Sequence, residues 1–342
     1  MNELTPAQCK LVMMEEFHRA LDSLRGGVGF STRKFAEVAA DTSGQDYLIK
    51  GIMDRGSVVM MAGYTGTFKT FIAIDMGCRV ALGQTWMDNR VHQTNVLYVV
   101  AEGTAGWRKR ARAWMLVNNS PDVPMEVIEC PVQLADDAQM AELMAKVDHL
   151  GAGLVIIDTM ARCSVGLEEN AAKDMGTFLD RLYLLRDACT PSGTTVMLVH
   201  HTGYDKTRLR GSSAIQAAMD ESIIIEGDAA GITFTSSKRK DYGLAGDLFL
   251  NLDVVNLGTD ADGDPITSCV ISKGTGLPQV PSHGAQILAQ LRIQPHQNQG
   301  DLMTSTSLSQ SQVSKAAKEL VSSGLLDKVN CPQVRGKCHH LT

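Results

Sequence analysis

An apolar run, Ser57-Val58-Val59-Met60-Met61-Ala62, passes directly into Gly63-Tyr64-Thr65-Gly66-Thr67-Phe68-Lys69-Thr70. The pattern predicts a strand, a glycine-bearing loop and a Lys-Thr pair that opens a helix. Such a loop turns its N–H groups inward on phosphates, and the helix N-terminus adds positive dipole. Gly63, Thr65, Gly66, Thr67, Phe68, Lys69 and Thr70 are therefore the candidate residues for a nucleoside triphosphate with Mg²⁺. Lys69 would reach the β- and γ-phosphates and the Thr70 hydroxyl would ligate the metal. The position before the lysine usually holds Gly, but here it is Phe68. If that position needs a positive φ, the aromatic residue is costly there.

Short apolar runs alternate with helical stretches along most of the chain. Strands are predicted at 57–62, 96–101, 126–129, 154–158 and 194–200, with helices at 69–82, 105–117, 136–149 and 171–188. Leu154-Val155-Ile156-Ile157 and Thr195-Val196-Met197-Leu198-Val199 are apolar on both faces, as parallel strands covered by helices require. After residue 220 the spacing shortens to strands at 221–226, 231–237, 247–254 and 267–272, which read as antiparallel hairpins extending the sheet. Residues 8–24 carry apolar positions at helical spacing and predict a helix that docks on a core or a neighbour. The expected organisation is an N-terminal helical segment (1–44), an α/β domain (45–272), a linker (273–283) and a small C-terminal domain (284–342).

Three strand ends carry chemistry. Asp158 closes the run 154–157 and suits the Mg²⁺ shell. Glu102 follows Val96–Ala101 and precedes Gly103, a place from which it would activate the attacking water. His200 and His201 end the strand at 194–200, and His200 is the preferred sensor of the γ-phosphate. Lys206, Arg208 and Arg210 follow on one loop, which reads as a solvated basic loop or a set of contacts to DNA phosphates. Lys238, Arg239 and Lys240 would repel one another unless an anion lay nearby, and a neighbouring subunit's γ-phosphate would be such an anion.

Composition sets limits on these readings. The net charge of −6 makes the whole molecule no polycation, so any contact with nucleic acid is local or created by assembly. Eight cysteines without a CxxC pair, and no charged-then-apolar leader, predict reduced thiols in a cytoplasm. Cys331, Cys338, His339 and His340 read as a tail rather than a metal site, since no second pair stands at zinc-site spacing. No apolar stretch approaches the length of a membrane span.

With these pieces placed, the chain resembles the RecA-fold ATPases of the RepA and DnaB type, hexameric replicative helicases of plasmids, phages and bacteria. The resemblance runs from about 45 to 255 and is carried by Tyr98–Trp107 (YVVAEGTAGW), Leu154–Cys163 (LVIIDTMARC), Glu169–Asp174 (ENAAKD), Val199–Gly203 (VHHTG) and Arg210–Ala214 (RGSSA). It implies a RecA-like P-loop α/β fold with a central, mostly parallel sheet and an antiparallel extension. It also implies ATP and Mg²⁺ as ligands, a ring of six like subunits and single-stranded DNA as partner. By the same resemblance Lys69 and Thr70 bind phosphate and Mg²⁺, Glu102 is the base, Asp158 the second metal residue and His200 the sensor. Lys238 and Lys240 fall on the family's trans-acting basic pair. The second is usually Arg, so Arg239 or Arg210 is a further candidate for the finger. Lys206, Arg208 and Arg210 would line a DNA channel. A RecA- or RadA-like filament-forming recombination ATPase and a DNA-binding regulatory ATPase share the same nucleotide site and stay open as alternatives.

The final 60 residues read as helix, turn, helix, Gly-Leu-Leu and a hairpin, the order of a winged helix-turn-helix. Residues 284–342 hold six Lys/Arg against three Asp/Glu, net +3 where the rest of the chain is −9. Gln310, Ser311, Gln312, Ser314 and Lys315 open the second helix. This module would engage duplex DNA or a protein partner.

Overall fold

The computed structural model describes residues 32–40, 47–187, 193–202, 213–228, 231–239, 246–274, 282–294, 297–322, 326–330 and 337–341. The helix predicted at 8–24 lies outside these. The chain divides into two compact units, one of Met1–Glu226, Thr233–Leu248 and Leu252–Lys273, the other of Gly227–Ile232, Phe249–Asn251 and Gly274–Thr342.

A short helix α1 (Phe35–Ala39) and an antiparallel hairpin, β1 (Tyr47–Ile49) and β2 (Met53–Asp54), precede the main sheet. Then follow β3 (Val58–Gly63), α2 (Lys69–Leu82), β4 (Asn95–Val100), α3 (Thr104–Val117), β5 (Met125–Ile128), α4 (Asp137–Leu150) and β6 (Ala152–Asp158). After a single turn, α5 (Met160–Cys163), come α6 (Ala172–Arg186), β7 (Thr195–His201) and α7 (Ser213–Ala218). Four strands close the sheet: β8 (Glu221–Asp228), β9 (Gly231–Arg239), β10 (Leu248–Thr259) and β11 (Pro265–Lys273).

The nine strands lie in the order β11-β10-β9-β8-β3-β7-β6-β4-β5. β3, β4, β5, β6, β7 and β8 pair in parallel. β8 thus joins the parallel set rather than opening the antiparallel extension, because α7 carries the chain back before it starts. Only two residues separate β8 from its neighbour β9, a link that can join antiparallel strands alone. Between β10 and β11 the Asp260 carboxylate accepts from the N–H groups of Asp262 and Asp264, a side chain holding the turn.

Both faces of the parallel strands are covered. Val58, Met60, Ala62, Leu97, Val99, Val155, Ile157, Val196 and Leu198 pack with Met140, Leu143 and Val147 of α4 and Phe178, Leu182 and Leu185 of α6. On the intervening positions Val59, Met61, Tyr98, Ile156 and Met197 are equally buried. There α2 approaches so closely that a Cβ on Gly77 would fall 2.9 Å from Ile156 Cδ1. Burial on both faces explains the unbroken apolar runs.

A buried carboxylate ties α2 to its surroundings. Asp75 accepts from Trp86 Nε1 at 2.9 Å and from Trp114 Nε1 of α3 at 2.6 Å, with Arg79 Nε at 3.6 Å. Burial pushes its pKa up, and the indoles and Arg79 pull it back. Replacing Asp75 by Leu leaves two buried indole N–H groups without an acceptor. The expected loss is about 3–5 kcal/mol of stability, read as a lower urea midpoint at unchanged slope; a loss below about 1 kcal/mol would show that the indoles find other acceptors.

The second unit has its own core. α8 (Ser282–Ile293), α9 (Gln299–Thr306) and α10 (Gln310–Ser322) precede a hairpin of β12 (Leu326–Asn330) and β13 (Lys337–Leu341). The hairpin is antiparallel, with Leu326 opposite Leu341 and Asn330 opposite Lys337. Ile287, Leu288, Leu291, Leu302, Val313, Ala316, Leu320 and Leu326 form the interior. Asn298 and Asp301 exchange hydrogen bonds at the start of α9, each side chain accepting from the other's backbone N–H. Among the described residues no helix is long and apolar enough to cross a membrane.

Candidate functional site

Parallel register brings four strand ends together. Gly63 of β3 stands opposite His201 of β7, Val199 of β7 opposite Asp158 of β6, and Asp158 opposite Val100 of β4. Two backbone bonds lock the tips: Thr202 N donates to Gly63 O at 3.1 Å and Ala101 N to Asp158 O at 2.8 Å.

The loop from β3 to α2 is wrapped around a buried ammonium. Lys69 Nζ donates to Gly63 O at 2.8 Å, to Tyr64 O at 2.9 Å and to Thr67 Oγ1 at 3.5 Å. Lys69 is only 5% exposed. Burial lowers its pKa to about 8, against the opposing pull of Asp158 and Glu102. Thr67 Oγ1 donates to Tyr64 O at 2.8 Å, closing the loop on itself. Gly63 is required by space, since a Cβ there would lie 2.4 Å from Ile225 O and 2.7 Å from Thr67 Oγ1. Thr65 and Gly66 are exposed at the loop's crest, and Gly66 has φ +86°.

Phe68 does adopt the left-handed conformation, with φ +62° and ψ +21°. Its ring meets Phe71 edge-on at 5.9 Å, and the Arg110 guanidinium lies 4.7 Å over the Phe71 ring. The aromatic contact offsets part of a backbone penalty of roughly 1–2 kcal/mol.

Asp158 is buried at the end of β6 and accepts from the Tyr98 hydroxyl at 2.8 Å. Burial pushes its pKa up, while Tyr98 and the Thr70 hydroxyl pull it down. Its other oxygen, Oδ1, has no hydrogen-bond partner among the described residues, and neither do the buried hydroxyls of Thr159 and Thr202. A buried carboxylate oxygen without a partner is an acceptor open to a ligand. The Asp158 carboxylate and the Thr70 hydroxyl, which acts on it, are a donor set that fits a hard, oxygen-liking cation.

His201, rather than His200, faces this cluster. His201 Nε2 lies 3.8 Å from Glu102 Oε1, and burial and Lys69 together lower its pKa. His200 is 1% exposed, one residue earlier and so on the other face of the strand. Glu102 is half-exposed two residues beyond β4, and Gly103 with φ +64° turns the chain into α3.

The basic run takes partners within its own chain. Lys238 Nζ donates to the carbonyls of Gln216, Ala217 and Met219 at 3.0, 2.8 and 2.7 Å, capping α7. The Arg239 guanidinium is buried, 3.4 Å from Asp54 and 3.9 Å from Glu221. Burial and Asp54 push the Glu221 pKa up to about 9. Lys238 and Arg239, expected as fingers reaching a neighbour, are held within this chain, one by three carbonyls and the other by two carboxyl groups. Lys240, Arg210, Lys206 and Arg208 lie outside the described residues, as does Cys331 of the Cys/His tail. Lys315 is exposed on α10 of the second unit. No metal-binding group of three or more His, Cys, Asp or Glu side chains occurs among the described residues.

Sequence reasoning missed Tyr98, Thr159, Thr202 and Arg110. Tyr98 carried a signal, because a tyrosine in a strand buried on both faces must find a partner for its hydroxyl.

A glycine-bearing loop around a lysine, an acid one strand beyond β7 and a glutamate at the next strand end define a P-loop ATPase of RecA-like α/β fold. Residues 28–207 match an AAA domain family, more than half the chain, and the protein belongs to that family. No curated protein matches it. Among solved structures it is similar to a KaiC-like protein of the archaeon Pyrococcus horikoshii OT3, at 14% identity over 66% of this chain and 93% of that one, with a TM-score of 0.45.

The left-handed Phe68 generates a test in two substitutions. Phe68→Gly and Phe68→Ala both lose the Phe71 contact, but only Gly escapes the backbone penalty. Phe68→Gly should exceed Phe68→Ala in stability by about 1 kcal/mol in urea unfolding. Equal stabilities would mean that the loop does not hold a positive φ in solution.

Proposed function

We propose that this ATPase is a ring-forming motor on DNA, a replicative-type helicase that moves along single-stranded DNA. One observation carries the reading. β7 ends with His201 3.8 Å from Glu102, and the chain runs from there straight into the sequence that holds Lys206, Arg208 and Arg210. A strand that senses the γ-phosphate is thus continuous with cations suited to a nucleic-acid backbone.

The chemistry follows from the residues. ATP entering the loop offers Lys69 phosphate oxygens in place of the Gly63 and Tyr64 carbonyls. When bound, Mg²⁺ neutralises charge on the β- and γ-phosphate oxygens, and Thr70 and Asp158 are the residues that would hold it. Glu102 accepts the proton of the attacking water. His201, kept neutral by its surroundings, retains an N–H to donate to the γ-phosphate and loses that partner after hydrolysis. Lys240 and Arg210 remain the candidates for a cation supplied across a subunit boundary, and six subunits would surround the strand.

The lowered pKa of Lys69 sets a pH dependence. The nucleotide-free protein holds this ammonium fully below about pH 8 and loses it as pH rises through that value. Phosphate binds the charged form, so ATP affinity should weaken above about pH 8, by up to about tenfold per unit. Titration with a fluorescent ATP analogue reads this directly. A flat profile would show that Lys69 is not the phosphate anchor.

Glu102→Gln should keep nucleotide affinity and lower kcat by about a hundredfold or more. The same variant should fail to open a forked duplex that the parent opens with ATP. Parent protein with DNA-stimulated hydrolysis but no opening of any fork, and filaments rather than rings in electron micrographs, would overturn the helicase reading.

A further inference from the structure

We infer that the second unit is a duplex-DNA reader and that α10 is its recognition helix. The inference stands apart from the ATP site and goes beyond a motor that grips one strand. α9 ends at Thr306, and three residues lead into α10. The first of them, Ser307, is left-handed with φ +57°, the conformation that turns one helix sharply into the next. Leu308 packs against the unit's core, and Ser309 with Gln312 caps α10. Ser309 N donates to Gln312 Oε1 at 2.8 Å, and Gln312 N donates to Ser309 Oγ at 3.4 Å. Three helices and then a hairpin is the order of a winged helix-turn-helix.

α10 carries two stripes at the same helical spacing. Val313, Ala316, Ala317 and Leu320 are buried. Ser311, Ser314, Lys315 and Lys318 are exposed. The second stripe offers two hydroxyls and two ammonium groups along one edge, and the helix has no acid before Glu319. A helix with this edge suits the major groove, about 12 Å wide, with the lysines on phosphates and the hydroxyls toward base edges. Gln312 is committed to the cap, and Ser311 Oγ lies 3.2 Å from Ser309 Oγ within it, so the reading edge centres on 314, 315 and 318. The hairpin adds Lys328 opposite His339 and Lys337 opposite Asn330. Net charge agrees, since 284–342 is cationic in an acidic chain. An acidic protein would meet the lysines, but the neighbouring hydroxyls favour the mixed donors and acceptors of a groove.

The test uses the full chain carrying Lys315→Gln and Lys318→Gln together. Binding to a labelled duplex and to oligo-dT is measured by anisotropy over a salt series, with helix content checked by circular dichroism. Duplex affinity should fall at least tenfold, and its salt slope should drop by nearly two. Oligo-dT binding and single-strand-stimulated ATPase should stay at the parent level. A third variant, Ser314→Glu, should weaken duplex binding through like charge. Unchanged duplex affinity and slope in folded protein would overturn the assignment, as would equal losses on both DNAs. Loss of ATPase or fork opening in the parent bears only on the motor reading, so the two proposals fail separately.

Discussion

One register, running across β3, β7, β6 and β4, decides where every candidate catalytic group comes to rest. These strands are buried on both faces, so a slip by one residue would turn each side chain to the opposite layer. The helices on either face would then meet the wrong volumes. The register is pinned a second time at the tips, where Thr202 N meets Gly63 O and Ala101 N meets Asp158 O. Asp158, Glu102, His201 and the lysine loop are neighbours because the apolar strands below them cannot shift.

That frame permits an electrostatic arrangement that would otherwise be unfavourable. A buried ammonium is costly unless dipoles or charges face it. Lys69 has loop carbonyls at short range and Asp158 and Glu102 farther off, and still its pKa falls. The site is electrostatically unfinished, with an ammonium short of anionic partners and three buried oxygens short of hydrogen bonds. A triphosphate would give that ammonium the anionic partners it lacks. Burial, with Lys69 beside it, favours the neutral ring of His201 against the pull of Glu102. A neutral ring suits donation to a phosphate without adding a fixed charge.

Much of this was legible in the sequence. The strands from β3 to β7 fell within two residues of expectation, because runs apolar on both faces have few alternatives. Asp158 and Glu102 could be placed at strand ends, and Lys69 at the helix start, because each closes or follows such a run. Which of the two histidines lies near Glu102 was not legible for a physical reason: adjacent residues on a strand face opposite layers, and composition does not say which layer holds the loop. The partners of Lys238 and Arg239 were hidden for another reason. Charge density is visible in a sequence, but the partners, Asp54 and the end of α7, come from distant elements. β1 and β2 escaped notice because strands of three and two residues carry too little periodicity.

The intrachain partners of the basic run also change what β9 does. α7 has only six residues, far below the length at which a helix holds itself in water. Its stability must come from outside. Ile215 and Met219 supply part by entering the main core. Lys238 and the Tyr183 hydroxyl add to this by satisfying carbonyls that the helix end leaves open. The stretch between β7 and β8 is therefore anchored at both ends. It starts at Thr202, bonded to the first residue of the lysine loop, and ends under an ammonium from β9.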